Sequence, residues 1–103
     1  MAVKYDVSEQ EQLIVIFSKM LRQPTEDGGR KRAAGLKPSW KVDETHEEHF
    51  WNHIAAWKRG ELHDPDSNAH PGIHAAWRLL AIAYQDTQAE ENEEKYTEYE
   101  VIK

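Results

Sequence analysis

All six histidines of the chain fall between residues 46 and 74: His46, His49, His53, His63, His70 and His74. Asp43, Glu44, Glu47, Glu48, Glu61, Asp64 and Asp66 stand within or beside that stretch. Imidazoles and carboxylates are the side chains that hold divalent metals and move protons near neutral pH. Chance placement would scatter them along the chain. The chemistry is therefore sought between Asp43 and Arg78, and the remainder is read as support.

Glu44, Glu47 and Glu48 are spaced by three and four, so two carboxylates can share one helix face. Like charges that close repel unless a cation lies between them. Mg2+ bound to a triphosphate asks for such a set: a few carboxylates, waters and phosphate oxygens. A solvated first turn is the plainer reading, since acids also favour a helix N-terminus. His49/His53 and His70/His74 have the His-x-x-x-His spacing of a shared metal. Phe50 stands where a metalloprotease helix needs Glu, and packing of His53 and His74 at helix interfaces is the alternative. In the turn from Gly60 to Ser67, Pro65 holds Asp64 extended. The Asp64 carboxylate is then either aimed at a site or spent on an Asx turn that caps the next helix.

Residues 30–41 carry Arg30, Lys31, Arg32, Lys37 and Lys41 and no acid. Arg30, Lys31, Arg32 and Lys37 could clamp phosphates, with Gly28, Gly29 and Gly35 giving the segment freedom to close. Trp40 beside them could stack on a base. A solvated loop explains the same residues without function. Gly-x-x-x-x-Gly-Lys-Ser/Thr is absent, which excludes a Walker-type phosphate loop.

These groups need a scaffold. A chain of 103 residues fits one domain with a small core, which association with further copies would help to cover. With no cysteine there is neither a disulfide framework nor a thiolate metal site. No apolar run approaches the roughly 18 residues that span a bilayer, and the N-terminus lacks the apolar segment of a signal peptide. The net charge of −6 argues against a nucleic-acid polymer as partner.

Helical periodicity supplies three elements. Helix one is expected over about 9–22, with Ser8 and Glu11 as a capping box, an apolar stripe of Leu13, Ile16, Phe17 and Met20, and Pro24 as its stop. Helix two is expected over about 44–59, from Asp43 as N-cap to Gly60. Helix three is expected over about 71–85, opened by Pro71 and apolar around most of its circumference through Ile73, Trp77, Leu80 and Tyr84. No segment alternates as a strand does.

The run from His53 to Ser67, followed by His74-Ala75-Ala76-Trp77, resembles the phage-associated dATP/dGTP diphosphohydrolase family. There a helix carrying a His leads into Gly-Glu, then an Asp-x-Glu-Ser-Gly turn, then a helix opening with His-Ala. The likeness spans about residues 8–85. Its specific part is residues 53–77, through His53, Gly60, Glu61, Asp64, Ser67 and His74, with Glu48 at an often acidic place. Asn52 stands where Arg is usual, Asp66 where Glu is, and Asn68 where Gly is. The family is MazG-like: all-α, divalent-metal-dependent, and cutting nucleoside triphosphates between the α and β phosphates. The MazG pattern is half present, since Glu44-x-x-Glu47 fits its first part and helix three has no acid for its second.

The resemblance thus implies an all-α, MazG-like fold with a three-helix core and a long basic loop between helices one and two. It would occupy residues 1–85, carry an acidic tail over 86–103, and assemble as a homodimer or homotetramer in the cytoplasm (the host's, if phage-encoded). The implied activity is hydrolysis of a deoxynucleoside triphosphate, dGTP or dATP favoured, to the monophosphate and pyrophosphate. Mg2+ or Mn2+ would be held by acids among Glu44, Glu47, Glu48, Glu61 and Asp64. Glu48, His53 and Asp64 are the expected catalytic residues. Arg30, Lys31, Arg32, Lys37, Trp40, His74 and Arg78 are the expected substrate contacts. A non-catalytic helical module capturing a nucleotide or protein, and a histidine-rich zinc or nickel protein, are the alternatives.

Overall fold

A computed structural model describes the backbone of residues 7–102 and the side chains of residues 8–92. It contains three helices, α1 (Val7–Ala33), α2 (His46–Lys58) and α3 (Pro71–Ile102), and no strand among the described residues. α1 and α2 each pack on α3 and do not meet each other. α3 is therefore the element on which the other two helices are placed. It runs past residue 85 as a helix; the side chains of most of the expected acidic tail lie outside the described residues.

α1 is longer than its periodicity suggests. Pro24 was the expected stop, yet the helix continues through it for nine further residues to Ala33. A proline inside a helix forfeits one hydrogen bond and crowds the preceding turn. Here Pro24 is buried, and Thr25 Oγ1 donates 2.7 Å to the Leu21 carbonyl, a back-bond that accompanies helix bending. Tertiary links beyond the proline hold the extra turns: Trp77 Nε1 donates to Thr25 Oγ1 at 2.9 Å, and Lys31 Nζ reaches Asp66 at 3.2 Å. Arg30, Lys31 and Arg32 are thus fixed in a helical last turn, and the expected long loop shortens to residues 34–45. Gly28 and Gly29 are helical as well, so of the three glycines only Gly35 lies in the connection.

Both shorter connections begin the same way. Gly35 has φ 76° and Gly60 has φ 92°. Gly35 N–H donates to the Arg32 carbonyl and Leu36 N–H to that of Lys31; Gly60 and Glu61 repeat the pattern on Trp57 and Ala56. These are Schellman ends, in which a left-handed residue satisfies the last carbonyls. At its start α2 differs from expectation. Thr45, not Asp43, is the N-cap residue, and it makes no side-chain cap bond. Asp43 Oδ1 instead accepts from Thr45 N–H at 2.8 Å and Thr45 Oγ1 at 2.6 Å. Glu44 consequently lies outside the helix.

The interior is small and partly polar. Among the described residues its buried apolar side chains are Ala69, Ala75 and Ala81, together with Pro24 and Pro71. Beside them His46 is 1% exposed, and Asp43 and Arg78 are buried with it. Arg78 Nη1 donates to His46 Nδ1 at 2.8 Å and stands 3.6 Å from Asp43 Oδ2. His46 Nε2 donates to the Trp40 carbonyl at 2.7 Å. Gln85 Nε2 reaches the carbonyls of Trp40, Lys41 and Asp43 at 3.0–3.2 Å. Residues 40–43 are thereby strapped to α3.

The apolar stripes are mostly uncovered. Ile14 is 66% exposed and Phe17 57%, and Leu13, Val15, Ile16 and Met20 on α1 and Leu79 and Leu80 on α3 are exposed as well. The chain exposes 7987 Å², where a folded monomer of this mass exposes about 6,000 Å². Replacing Gly60 by Ala tests the helix ends: a side chain in left-handed backbone costs about 1–2 kcal/mol. The unfolding free energy from urea titration should fall by that amount, lowering the midpoint with an unchanged m-value.

Candidate functional site

A polar cavity of about 150 Å³ opens where α1, α2 and α3 converge. α1 contributes Asp27, Gly28, Lys31 and Arg32; the connection contributes Lys37; α2 contributes His49 and His53. The 60–70 turn contributes Asp64 and Asp66, and α3 contributes His74, Trp77 and Arg78. Helical spacing explains the convergence. His49 and His53 lie one turn apart, as do Asp27 and Lys31, and as do His74 and Arg78.

The turn before α3 is built around the Asp64 carboxylate. Asp64 Oδ2 accepts the N–H groups of Asp66 and Ser67, each at 3.0 Å. Burial alone would raise its pKa, but these two N–H bonds and the neighbouring His74 and His53 hold it below the usual carboxylate range. Asn68 has φ 65°, a left-handed conformation that Asn tolerates better than most residues. Its departure from the usual Gly is thus conformationally conservative. Ser67 Oγ shares a 2.5 Å hydrogen bond with His74 Nε2, which lies 3.8 Å from Asp64 Oδ2. The His74 ring stacks on that of His53 with centroids 4.7 Å apart and planes 20° apart. Burial, then the proximity of His74, pushes His53 down to about 4. Burial also lowers His74, against the pull of Asp64. Both imidazoles are neutral at pH 7.

Cations face these groups. Burial lowers the Lys31 pKa, but hydrogen bonds to Asp27 and Asp66 outweigh it and the net shift is upward. Lys37 is pushed down by burial and by the charges of Arg78, Lys31 and Arg32. The Arg32 guanidinium lies over Gly28, where an added Cβ would stand 2.8 Å from Nη1. It also sits on the Trp77 ring, 5.1 Å from the centroid. Its Nε is buried and has no hydrogen-bond partner. Arg32 and Trp77 also line a second, larger cavity of about 550 Å³, almost wholly carbon, with Trp40, Leu80 and Tyr84. Trp40 and Tyr84 meet there with centroids 4.9 Å apart.

The structure brings together much of the expected substrate set. Lys31, Arg32, Lys37, His74 and Arg78 face the polar cavity, and Trp40 faces the carbon-lined one. Arg30 does not join them; it is exposed and pairs with Asp27 at 3.6 Å. Of the expected catalytic residues, His53 and Asp64 line the polar cavity and Glu48 is exposed outside it. The expected metal ligands are dispersed. Glu44 is exposed before α2, Glu47 accepts from Trp51 Nε1 at 3.4 Å, and Glu61 pairs with Arg59 at 3.0 Å. Among the described residues no three His, Asp or Glu side chains stand within reach of one ion. The described residues do not fit a metal held by the chain alone. His70 serves as a helix cap, its Nδ1 accepting from Gly72 N–H at 2.8 Å.

Asp27, Tyr84 and Gln85 carry no expectation of a site or positioning role in the sequence; His49 stands there only as half of a His-x-x-x-His pair, and Asp66 only as one acid of the turn. A signal for the α1 members existed in the i, i+4 pair Asp27–Lys31 and in the Leu21, Thr25, Arg32 face, but ending the helix at Pro24 concealed both.

The His53 environment has a measurable consequence. Its folded value, about 4, lies below the 6.5 of an ordinary histidine. Between the two the unfolded chain binds a proton that the folded chain refuses, so stability is full above about pH 6.5 and falls as pH drops toward 4. His49 and His74, lowered mainly by burial, act in the same direction. Urea unfolding across that window should show the loss, and His53→Asn should remove up to about one proton from its slope.

Residues 13–95 match the family described as dATP/dGTP diphosphohydrolase, N-terminal. No curated protein and no solved structure matches the chain. The matched segment takes in all of α2, the turn built on Asp64 and the lining of both cavities, and the chain belongs to this family of dATP/dGTP diphosphohydrolase N-terminal domains.

Proposed function

We propose that the chain hydrolyses deoxypurine nucleoside triphosphates, adding water across the α–β phosphoanhydride to give the monophosphate and pyrophosphate. One observation carries this reading. A cationic polar cavity and an aromatic cavity adjoin through Arg32 and Trp77, and the Arg32 Nε–H at their junction is buried without an acceptor. A buried donor left unpaired is costly, and a phosphate oxygen would satisfy it. Lys31, Lys37, Arg32 and Arg78 would meet the polyphosphate charge, including that developing on departing pyrophosphate. Asp64, His53 and His74 would orient the attacking water as acceptors. The substrate would enter as its Mg2+ or Mn2+ complex, the cation arriving on the phosphates. The setting would be the cytoplasm. A second copy would cover the apolar face of α1 and α3, giving a homodimer or homotetramer that light scattering would detect. A 12 kDa monomer at micromolar concentration would refute that assembly.

Capture of the nucleotide without turnover is the second reading. It is favoured by His53 being pushed to about 4, which leaves it a weak proton acceptor at neutral pH. Incubation with dGTP or dATP and Mg2+ or Mn2+, with pyrophosphate as readout, separates the two. Turnover is expected, lowered about 10²- to 10⁴-fold in Asp64→Asn and in a His53→Asn, His74→Asn double variant. Gly28→Ala should raise KM by displacing Arg32 while leaving the fold intact. Glu48→Ala should leave turnover unchanged. Binding without pyrophosphate would move the assignment to capture, and no binding of any triphosphate would end both readings.

A further inference from the structure

Adenine and guanine carry opposite groups at one position of their hydrogen-bonding edge. Adenine presents the N6 amino donor where guanine presents the O6 acceptor. A buried pocket that pairs with one leaves a polar group unpaired against the other, and so discriminates strongly. The family's description names both purines. The larger cavity is built differently from an edge-reading pocket. Its walls are the rings of Trp40, Trp77 and Tyr84 with Leu80, and its lining is almost wholly carbon. The Trp77 indole N–H is spent on Thr25 Oγ1, whose own hydroxyl is spent on the Leu21 carbonyl.

The Trp40 ring is not free to wander. Its carbonyl is held by His46 and Gln85, and its ring meets Tyr84 at 4.9 Å. The cavity adjoins the cationic one through Arg32, which stacks on Trp77. A base attached to a polyphosphate in the polar cavity would enter it.

We infer that this carbon-lined cavity takes the purine base and selects it by ring stacking and size, without reading its exocyclic groups. The inference rests on the proposed seating of the polyphosphate in the polar cavity. Stacking on aromatic side chains tolerates any base with a sufficient π face, and a bicyclic base offers more of it than a pyrimidine.

Equilibrium binding to the full-length chain tests it with dGTP, dATP, the deoxynucleoside triphosphate of unsubstituted purine, dCTP and inorganic tripolyphosphate. The three purine nucleotides should bind within about threefold of one another. Tyr84→Leu and Trp40→Leu should each weaken them roughly 5- to 100-fold, the equivalent of one base stack. Tyr84→Phe should bind as the parent does. Tripolyphosphate should bind more weakly than any purine nucleotide and be indifferent to all three variants, which also shows that the polar cavity is still folded. Loss of ten times or more in affinity on removing the exocyclic groups would overturn the inference. So would Leu variants that leave dGTP affinity intact while changing the oligomeric state, which would mean that a second copy of the chain covers these rings. In either case undiminished tripolyphosphate binding would leave the phosphate reading standing. Failure of tripolyphosphate and every nucleotide to bind would remove both.

Discussion

A guanidinium taken out of water must be met by acceptors, and Arg78 is met by Asp43 on one side and His46 on the other. Removing one partner of a buried charge pair is strongly destabilising, because the other is left without compensation. Here the partners belong to three different parts of the chain: the connection, the start of α2 and the first turns of α3. Because Arg78 donates to His46 Nδ1, the other ring nitrogen carries the proton and reaches the Trp40 carbonyl. One cluster therefore fixes a charge at the polar cavity and the backbone behind an aromatic ring of the other. With so few large apolar side chains inside, the polar cluster specifies the packing that an apolar core would otherwise set.

The two cavities are successive turns of one helix. His74, Trp77 and Arg78 serve the first; Trp77, Leu80, Ala81 and Tyr84 serve the second. At 1.5 Å per residue the distance from His74 to Tyr84 along α3 is about 15 Å. Groups separated along one rigid helix keep their separation, which suits a ligand with a charged end and a flat end. α1 supplies the opposite walls through Thr25, Gly28 and Arg32. Its continuation past Pro24 is what brings Arg32 within reach of both.

The sequence was most legible where periodicity and punctuation agreed. Gly60 ends α2 and Pro71 opens α3, as their types demand. Residues of the histidine-rich stretch and of the basic segment are brought together, since His53, Asp64, His74, Lys31, Arg32, Lys37 and Arg78 all line one cavity. What failed were inferences from local rules that long-range contacts overrode. Pro24 is a helix stop by propensity, yet α1 continues because Trp77 and Asp66 hold the turns beyond it. Asp43 reads as an N-cap but is drawn inward toward Arg78. Glu44, Glu47 and Glu48 read as one helix face, but Glu44 lies before α2 and all three side chains are exposed. Spacing can place carboxylates on a helix; it does not say which face the rest of the fold will cover. Tyr84 and Gln85 carried no local signal, because their roles depend on a connection more than forty residues away.

Burial first, and then the charges of Arg78, Lys31 and Arg32, make it costly to keep Lys37 protonated where it stands. Of the four cationic side chains around 150 Å³, Lys31 is met by Asp27 and Asp66 and Arg78 by Asp43, while Lys37 bears the repulsion of Arg78, Lys31 and Arg32. A polyanion that lowers this mutual repulsion is stabilising because it binds only the assembled form. If such an anion binds there, filling the cavity and holding the three helices together would become one equilibrium.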